Sequence, residues 1–256
     1  MRRLPSPDLD PVFDRDVYLL NQRAFTISSQ YEVWSDDGKP LLYVERPTYP
    51  VRSALAYVLA FIAAGFVVSW GGRGAGEPSD VTGALVHLGI LMFSVAVFLV
   101  VSMSARPLRH VTIYRDESRR EPLLRILQEQ RVAVLRRTYR LTTTGGEMLA
   151  RLRKVYVHNL VRKRWYVDDE HGQALAMAIE DSVVLSLLRR VLGTFFGFLR
   201  TNFLIQTPGG DVLGEFNRKF TVLDRYVLDL SADVERQVDR RIALALGIML
   251  DTGERR

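Results

Sequence analysis

The chain lacks cysteine and is poor in histidine. Among 256 residues there is no cysteine, and the four histidines lie far apart in the sequence. The missing thiols exclude disulfides, thiol catalysis and thiolate metal sites. The scattered histidines do not provide the ligand spacing of a zinc site. We therefore predict no metal site and no cofactor.

Signatures of catalysis are also missing. The sequence contains no GxSxG, no HExxH and no nucleotide-binding glycine fingerprint, which are the motifs that place nucleophiles, metal ligands and phosphates. The interpretation is therefore a protein that is not an enzyme and has no catalytic residues. The alternative is an enzyme, which conversion of a lipid substrate by the purified protein would support. Residues 1–16 begin with two arginines after Met1, then become acidic and rich in proline. They contain no apolar region, so we expect no signal peptide.

Two long stretches lack charged residues. Residues 53–70 and 81–105 contain no Asp, Glu, Lys or Arg, and as helices they would reach about 27 and about 37 Å across a hydrocarbon core of about 30 Å. The alternative is a pair of core helices in a soluble fold, but such helices show a polar stripe that neither stretch has. The sequence predicts a transmembrane helical hairpin over residues 51–105.

The flanks of this hairpin predict its orientation. Arg46, Arg52, Arg106 and Arg109 lie outside the two stretches, while a short glycine-rich turn joins them. Because cytoplasmic flanks carry the excess of Lys and Arg, we expect a multi-pass protein of the cell membrane with the rest of the chain in the cytoplasm. A small-residue stripe suits close helix contact, either within the hairpin or in a homo-oligomer; it consists of Ala56, Ala60 and Ala64.

Positive charge is concentrated after the second stretch. Residues 106–164 contain 16 Lys or Arg and 5 Asp or Glu, although the net charge of the whole chain is only +6. Such asymmetry indicates an anionic partner. The adjacent membrane segment favours anionic membrane lipids, and the absence of an aromatic-basic recognition motif argues against nucleic acid.

Outside the hairpin, alternating strands are joined by glycine or polar turns. Four such pairs turn near residues 36–38, 145–146, 168–172 and 209–210, and HVTIYR and YVLDLS add further strands. This pattern predicts a mainly β, largely antiparallel sheet closed into a barrel or a sandwich.

Strand alternation also predicts which side chains bind an anionic head group. In 132–144, Ala133, Leu135, Tyr139 and Leu141 share the inward face, whereas basic side chains share the outer one. A solvated surface is the alternative to head-group contact. The predicted lipid-binding residues are Arg136, Arg140, Arg151, Arg153, Lys154, Arg162, Lys163 and Arg164.

Two further segments have helical character. Residues 242–250 are apolar on all sides but too short to cross a bilayer, so we expect a helix buried within the barrel. Residues 183–200 combine arginine pairs with phenylalanines, and either an interfacial amphipathic helix or an ordinary core helix fits them.

The ordered set of these features resembles the tubby C-terminal-like superfamily, which includes phospholipid scramblases and LURP-one-related proteins. YEVWSDDGKPLLYV resembles its opening hairpin, WYV with the Asp-rich turn a middle one, and GEFNRKF…DRYVLDLSAD with DRRIALALGIMLD its closing strands and central helix. The resemblance implies an antiparallel twelve-stranded β-barrel around a buried C-terminal helix. The acidic calcium-associated loop of scramblases is represented here only by Asp224, Asp229 and Asp233.

The domain organisation and function follow as predictions. We expect an N-terminal extension (1–23), a barrel (24–50 and 106–256) and the inserted transmembrane hairpin (51–105, helices about 53–70 and 81–105). The expected function is a membrane-anchored, non-enzymatic module that binds anionic phospholipid head groups at the cytoplasmic face. The alternative is a scramblase-like lipid transporter that acts as an oligomer.

Overall fold

The computed structural model describes residues 10–22, 29–76, 80–108, 110–131, 133, 135–156, 162–180, 203–219 and 225–252. The predicted helix at 183–200 lies outside the described residues. The chain forms two compact units: one of residues 1–47, 109–129 and 134–256, the other of residues 48–108 and 130–133.

The first unit is a closed barrel of twelve antiparallel strands. Each strand pairs with its neighbours in sequence, and β1 closes the barrel against β12. The prediction of a twelve-stranded antiparallel barrel is confirmed, and the sandwich alternative is excluded. The strands are β1 (Val17–Gln22), β2 (Ser29–Trp34), β3 (Pro40–Arg46), β4 (His110–Tyr114), β5 (Pro122–Gln128), β6 (Arg136–Thr143), β7 (Met148–Val155), β8 (Arg164–Asp168), β9 (Ala174–Glu180), β10 (Phe203–Gln206), β11 (Val212–Lys219) and β12 (Arg225–Asp229).

The predicted hairpin turns form because glycine reaches backbone conformations closed to other residues. Gly38 and Gly146, in the β2–β3 and β6–β7 turns, have φ values of 79° and 86°, where a Cβ would be strained. Two strands were not predicted: β5, and β1, which lies within the segment interpreted as an N-terminal extension. The barrel therefore begins before residue 24.

A helix occupies the centre of the barrel. The third helix, α3 (Arg240–Thr252), has almost all of its side chains buried, and its apolar residues belong to the same core cluster as the inward side chains of the strands. The buried C-terminal helix predicted from residues 242–250 is confirmed. A Cβ at Gly247 would lie 3.4 Å from Leu228 and Phe216, so the absent side chain allows close approach of the helix to β11 and β12.

Strand β11 also approaches β12 too closely for any side chain at one position. A Cβ on Gly214 would collide with the backbone carbonyl of Asp229 and lie 2.9 Å from Cδ2 of Leu230. Glycine is therefore required at this point of the barrel wall.

Polar contacts hold both ends of α3. At its start, the Arg240 guanidinium donates to Asp233 Oδ2 at 2.7 Å and to Asp16 Oδ1 at 2.7 Å. At its end, Arg46 Nη1 donates to the Thr252 carbonyl at 2.7 Å, where a cation offsets the unpaired carbonyls and dipole of a helix C-terminus. The Tyr31 hydroxyl donates to the Asp251 carboxylate. Both ends of the helix are thereby fixed to the barrel wall.

The second unit is a hairpin of two long helices, α1 (Pro50–Ala75) and α2 (Val81–Ala105). Both are long and apolar enough to cross a membrane, with mean hydropathies of 2.0 and 2.6 over 18 residues, of which only 11% and 6% are buried. Ala56 and Ala60 of the predicted small-residue stripe are buried. Ser94 Oγ donates across the hairpin to the Ala64 carbonyl at 3.0 Å, so this stripe packs within the hairpin. Self-association through it stays a prediction.

Candidate functional site

Most of the predicted lipid-binding residues lie on three adjacent strands, β6 to β8, of the barrel. Their inward neighbours, such as Leu141 and Leu152, are fully buried, and alternation turns the arginines outward. Arg125, on the unpredicted strand β5, is exposed on the same side. We call these six residues the outer basic face: Arg125, Arg136, Arg140, Arg151, Arg153 and Arg164.

Two of these arginines lie directly opposite each other and share one carboxylate. Arg140 on β6 pairs in register with Arg151 on β7, and like charges in this arrangement repel. Glu129 relieves the repulsion, because its Oε1 lies 3.1 Å from Arg140 Nη2 and 3.6 Å from Arg151 Nε. Part of the charge predicted to be free for a ligand is therefore neutralised within the protein.

Arg153 is held more tightly. Its Nε and Nη2 donate to the two carboxylate oxygens of Asp168 at 3.0 and 3.2 Å, a bidentate pair of the kind that fixes a guanidinium plane. The guanidinium also lies 5.3 Å from the centre of the Tyr166 ring, within cation–π range. Arg153 therefore stabilises the pairing of β7 with β8, and its side chain is one-third exposed.

The outer basic face keeps a net positive charge despite these pairs. Glu129 and Asp168 are the carboxylates that pair with Arg140, Arg151 and Arg153. Arg136 is exposed at the start of β6. The six arginines thus outnumber the two carboxylates that pair with Arg140, Arg151 and Arg153, and they are spread over neighbouring strands.

Lys154 does not belong to this face. It follows Leu152 on the inward side of β7 and is only 8% exposed, with its Nζ 5.5 Å from the Trp165 ring centre and 6.0 Å from that of Tyr156.

The prediction that Leu135 points inward is wrong, since this residue is 66% exposed. Leu135 precedes β6, whose first residue is Arg136, and strand alternation does not extend to it.

The last two predicted residues lie where β8 begins and β9 ends. The backbone N–H of Lys163 donates to Glu180 Oε2 at 3.2 Å, and Arg162 Nε donates to the Glu180 carbonyl. Glu180 is 1% exposed, so the Lys163 N–H helps to satisfy a buried carboxylate, whereas Arg162 satisfies the backbone carbonyl of the same residue. Arg162 and Lys163 thus contact the last residue of β9, beside Arg164 at the start of β8.

Sequence reasoning missed Arg125, Glu129 and Asp168 as parts of this surface. The available signal for the first two was the alternation of β5, in which Leu124 and Ile126 are buried and Arg125 is exposed. Asp168 was visible only as part of an Asp-rich turn. The cross-strand pair that it makes depends on register, which the sequence does not specify.

The acidic positions compared with the calcium-associated loop have other partners. Asp233 accepts hydrogen bonds from Arg240 and from the backbone N–H groups of Gln237 and Val238 at 2.8 and 3.2 Å. Asp229 accepts from the backbone of Ser231, and Asp224 lies outside the described residues. Within the described parts of the chain, no group of three His, Asp or Glu side chains is arranged to hold a metal ion.

No protein-family model matches the chain, and no curated protein matches it significantly.

Proposed function

We propose that the protein is a membrane-anchored, non-enzymatic module whose barrel binds anionic phospholipid head groups from the cytoplasm. The observation that carries the proposal is the outer basic face, whose guanidinium groups suit phosphate oxygens. Its charges are spread over neighbouring strands, as a planar head-group layer requires, instead of converging on one pocket. Each arginine near an anionic surface contributes about 1 kcal/mol.

The helical hairpin supports the membrane anchor. Its helices expose large apolar side chains along their length, such as Phe61, Phe66 and Leu91, at 55–67%. An apolar surface of this extent is unfavourable in water and favourable in a hydrocarbon layer. The alternative function, transbilayer lipid movement, needs a polar path, but Ser94 and Ser102 are buried in the hairpin, which favours the anchor.

The absence of native cysteine makes the orientation directly testable. A side chain added at Gly74, near the end of α1, would have no neighbouring atom within 4 Å of its Cβ, so Gly74→Cys should be tolerated. We expect an impermeant maleimide to label Gly74→Cys on intact cells, and to label Ser118→Cys, in the β4–β5 turn, only after permeabilisation. The opposite pattern would refute the cytoplasmic barrel. The unsubstituted chain is the blank, because it has no thiol.

Head-group binding is tested by removing positive charge from the outer basic face and, as a control, from the β4–β5 turn. Full-length protein in nonionic detergent is titrated with fluorescent short-chain phosphatidylserine or phosphatidylcholine, and anisotropy is measured. The double variant Arg136→Gln/Arg140→Gln should weaken phosphatidylserine binding about 5- to 30-fold, for a loss of about 1–2 kcal/mol.

The matched control removes the same charge from the β4–β5 turn. Arg115→Gln/Arg120→Gln should leave affinity within about twofold, and wild-type affinity should fall steeply with salt. Equal losses in both double variants, or equal binding of the zwitterionic lipid, would contradict the proposal.

A further inference from the structure

Three arginines lie at the end of the helical hairpin where α1 begins and α2 ends. Arg52 is in the first turn of α1, and Arg106 directly follows the last residue of α2. Arg131 lies beside them, because its Nη1 is 3.5 Å from the carbonyl of Ser104 in the last turn of α2. All three belong to the compact unit that contains the hairpin. We call Arg52, Arg106 and Arg131 the hairpin-base arginines.

No acidic residue of this unit balances their charge. Residues 48–76, 81–108 and 130–133 contain no Asp or Glu, and among the described residues none of the three arginines pairs with a carboxylate. The helix dipoles do not balance it either. About half a positive charge at the start of α1 and about half a negative charge at the end of α2 meet at this end and oppose each other. The hairpin unit is therefore strongly basic here.

Arg106 is held in place by an aromatic residue of the other helix. Its Nη2 donates to the Tyr57 hydroxyl, and its guanidinium carbon lies 4.7 Å from the centre of the Tyr57 ring, within cation–π range. Of the five N–H donors that a guanidinium carries, this bond uses one, and Nε has no partner in the part of the chain that the structure describes. The side chain is partly exposed. Arg106 is thus oriented and still has donors for an acceptor from outside.

An aromatic track leads from Arg106 towards the middle of the hairpin. Tyr57 of α1 stacks on Phe98 of α2 with ring centres 6.4 Å apart, and Phe98 contacts Phe61 of α1 with ring centres 4.9 Å apart. Phe61 lies about 6 Å further along the helix axis than Tyr57. Tyr57 is 40% and Phe61 67% exposed, so the track of Tyr57, Phe98 and Phe61 is open on the surface of the hairpin. It runs in the direction that an acyl chain takes in a bilayer.

We propose that the hairpin binds one anionic phospholipid of the cytoplasmic leaflet, with the lipid phosphate on Arg106 and Arg131 and one acyl chain along the aromatic track. Guanidinium groups suit phosphate oxygens, and aromatic rings at the membrane interface contact both head groups and hydrocarbon. A zwitterionic lipid brings its own cation to a site that is already basic, so an anionic lipid is favoured. The proposal rests on the proposed membrane anchor and is independent of the outer basic face, which belongs to the barrel.

The test places a fluorescent reporter on the aromatic track. Phe61→Trp keeps an aromatic ring at an exposed position, and Trp70→Phe leaves this reporter as the only tryptophan of the hairpin. Full-length protein with both substitutions is reconstituted in phosphatidylcholine vesicles, in which part of the lipid is replaced by dibrominated phosphatidylglycerol or dibrominated phosphatidylcholine. Because bromine on an acyl chain quenches only tryptophan that it contacts, the quenching measures which lipid occupies the track.

We expect phosphatidylglycerol to be preferred over phosphatidylcholine at least about fivefold. Arg106→Gln should reduce the preference to less than about twofold, and Arg106→Lys should reduce it less, since lysine keeps the charge but not the fork. The matched control Arg73→Gln removes an exposed arginine from the opposite end of α1 and should leave the preference unchanged. Arg136→Gln/Arg140→Gln should also leave it unchanged, which separates this site from the outer basic face.

Equal quenching by the two brominated lipids would overturn the proposal, and so would an unchanged preference in Arg106→Gln. A loss of preference in Arg136→Gln/Arg140→Gln would assign the selectivity to the barrel and overturn it as well. If Arg106→Gln does not fold, Arg52→Gln/Arg131→Gln decides, because both side chains are exposed and an unchanged preference would remove the hairpin-base arginines from the site. Quenching by neither lipid would refute the membrane anchor itself, so the two failures are distinguishable.

Discussion

Replacing Arg240 with methionine tests how the central helix is held. Arg240 is 3% exposed, and the Asp233 side chain that it contacts at 2.7 Å is fully buried. Removing one partner leaves an uncompensated buried carboxylate, a change that costs about 3–5 kcal/mol. Because two backbone N–H groups still donate to Asp233, we expect the lower end, about 3 kcal/mol, or about 150-fold in the unfolding equilibrium.

The assay is urea unfolding of the full-length protein in mild detergent, followed by tryptophan fluorescence. Arg115→Gln is the matched control, because Arg115 makes ion pairs with Asp10 and Glu121 but is 40% exposed, and such pairs contribute about 0–1 kcal/mol. The double variant Arg240→Met/Asp233→Asn should recover part of the loss, since no charge is then left buried. A free energy of unfolding for Arg240→Met within about 1 kcal/mol of wild type would refute this account of the helix start.

Two further substitutions probe close contacts elsewhere. Gly214→Ala should destabilise the barrel by more than about 1 kcal/mol, because its Cβ meets the backbone of β12. The control Gly145→Ala, whose Cβ meets only a threonine hydroxyl at 3.7 Å, should have little effect in the same unfolding assay. Equal losses of stability in the two variants would count against the close approach of β11 to β12. Ala60→Leu should separate α1 from α2 and lower the melting temperature in detergent, because Ala60 is fully buried. The control Val58→Leu, at a 53% exposed position, should leave the melting temperature unchanged. An unaltered melting temperature for Ala60→Leu would exclude tight helix contact at this position.

Much of the fold was predictable because the determining signals are local. Each predicted hairpin has its own turn residues, as at Gly38 and Gly146, and its own alternation of apolar side chains. The apolar helix stood out because it is too short to cross a membrane yet apolar on all sides. Strand β1 was missed because its sequence, VYLLNQ, is not followed by a comparable turn signal, and its partner β12 is about 200 residues away.

The candidate site was less predictable, since it depends on which residues meet across strands. The sequence indicates that Arg140, Arg151 and Arg153 lie on strands, but it does not show that Glu129 and Asp168 neutralise them. Ion pairs of this kind are set by register between strands, and the register follows from the fold as a whole. Composition therefore overstates the charge available to a ligand.

Strand alternation divides the basic residues of β6 and β7 between two environments. Arg136 and Arg137 follow each other in sequence, but one is exposed and the other lies with buried Tyr139 and Leu141 on the inward side. On the outside, a carboxylate of the protein lies between the opposed arginines. On the inside, Arg137 lies opposite Lys154, and its buried Nε has no hydrogen-bond partner among the described residues. A one-residue slip in register would exchange the two sets, so the same register that closes the barrel also decides which of these cations point outward and which point inward.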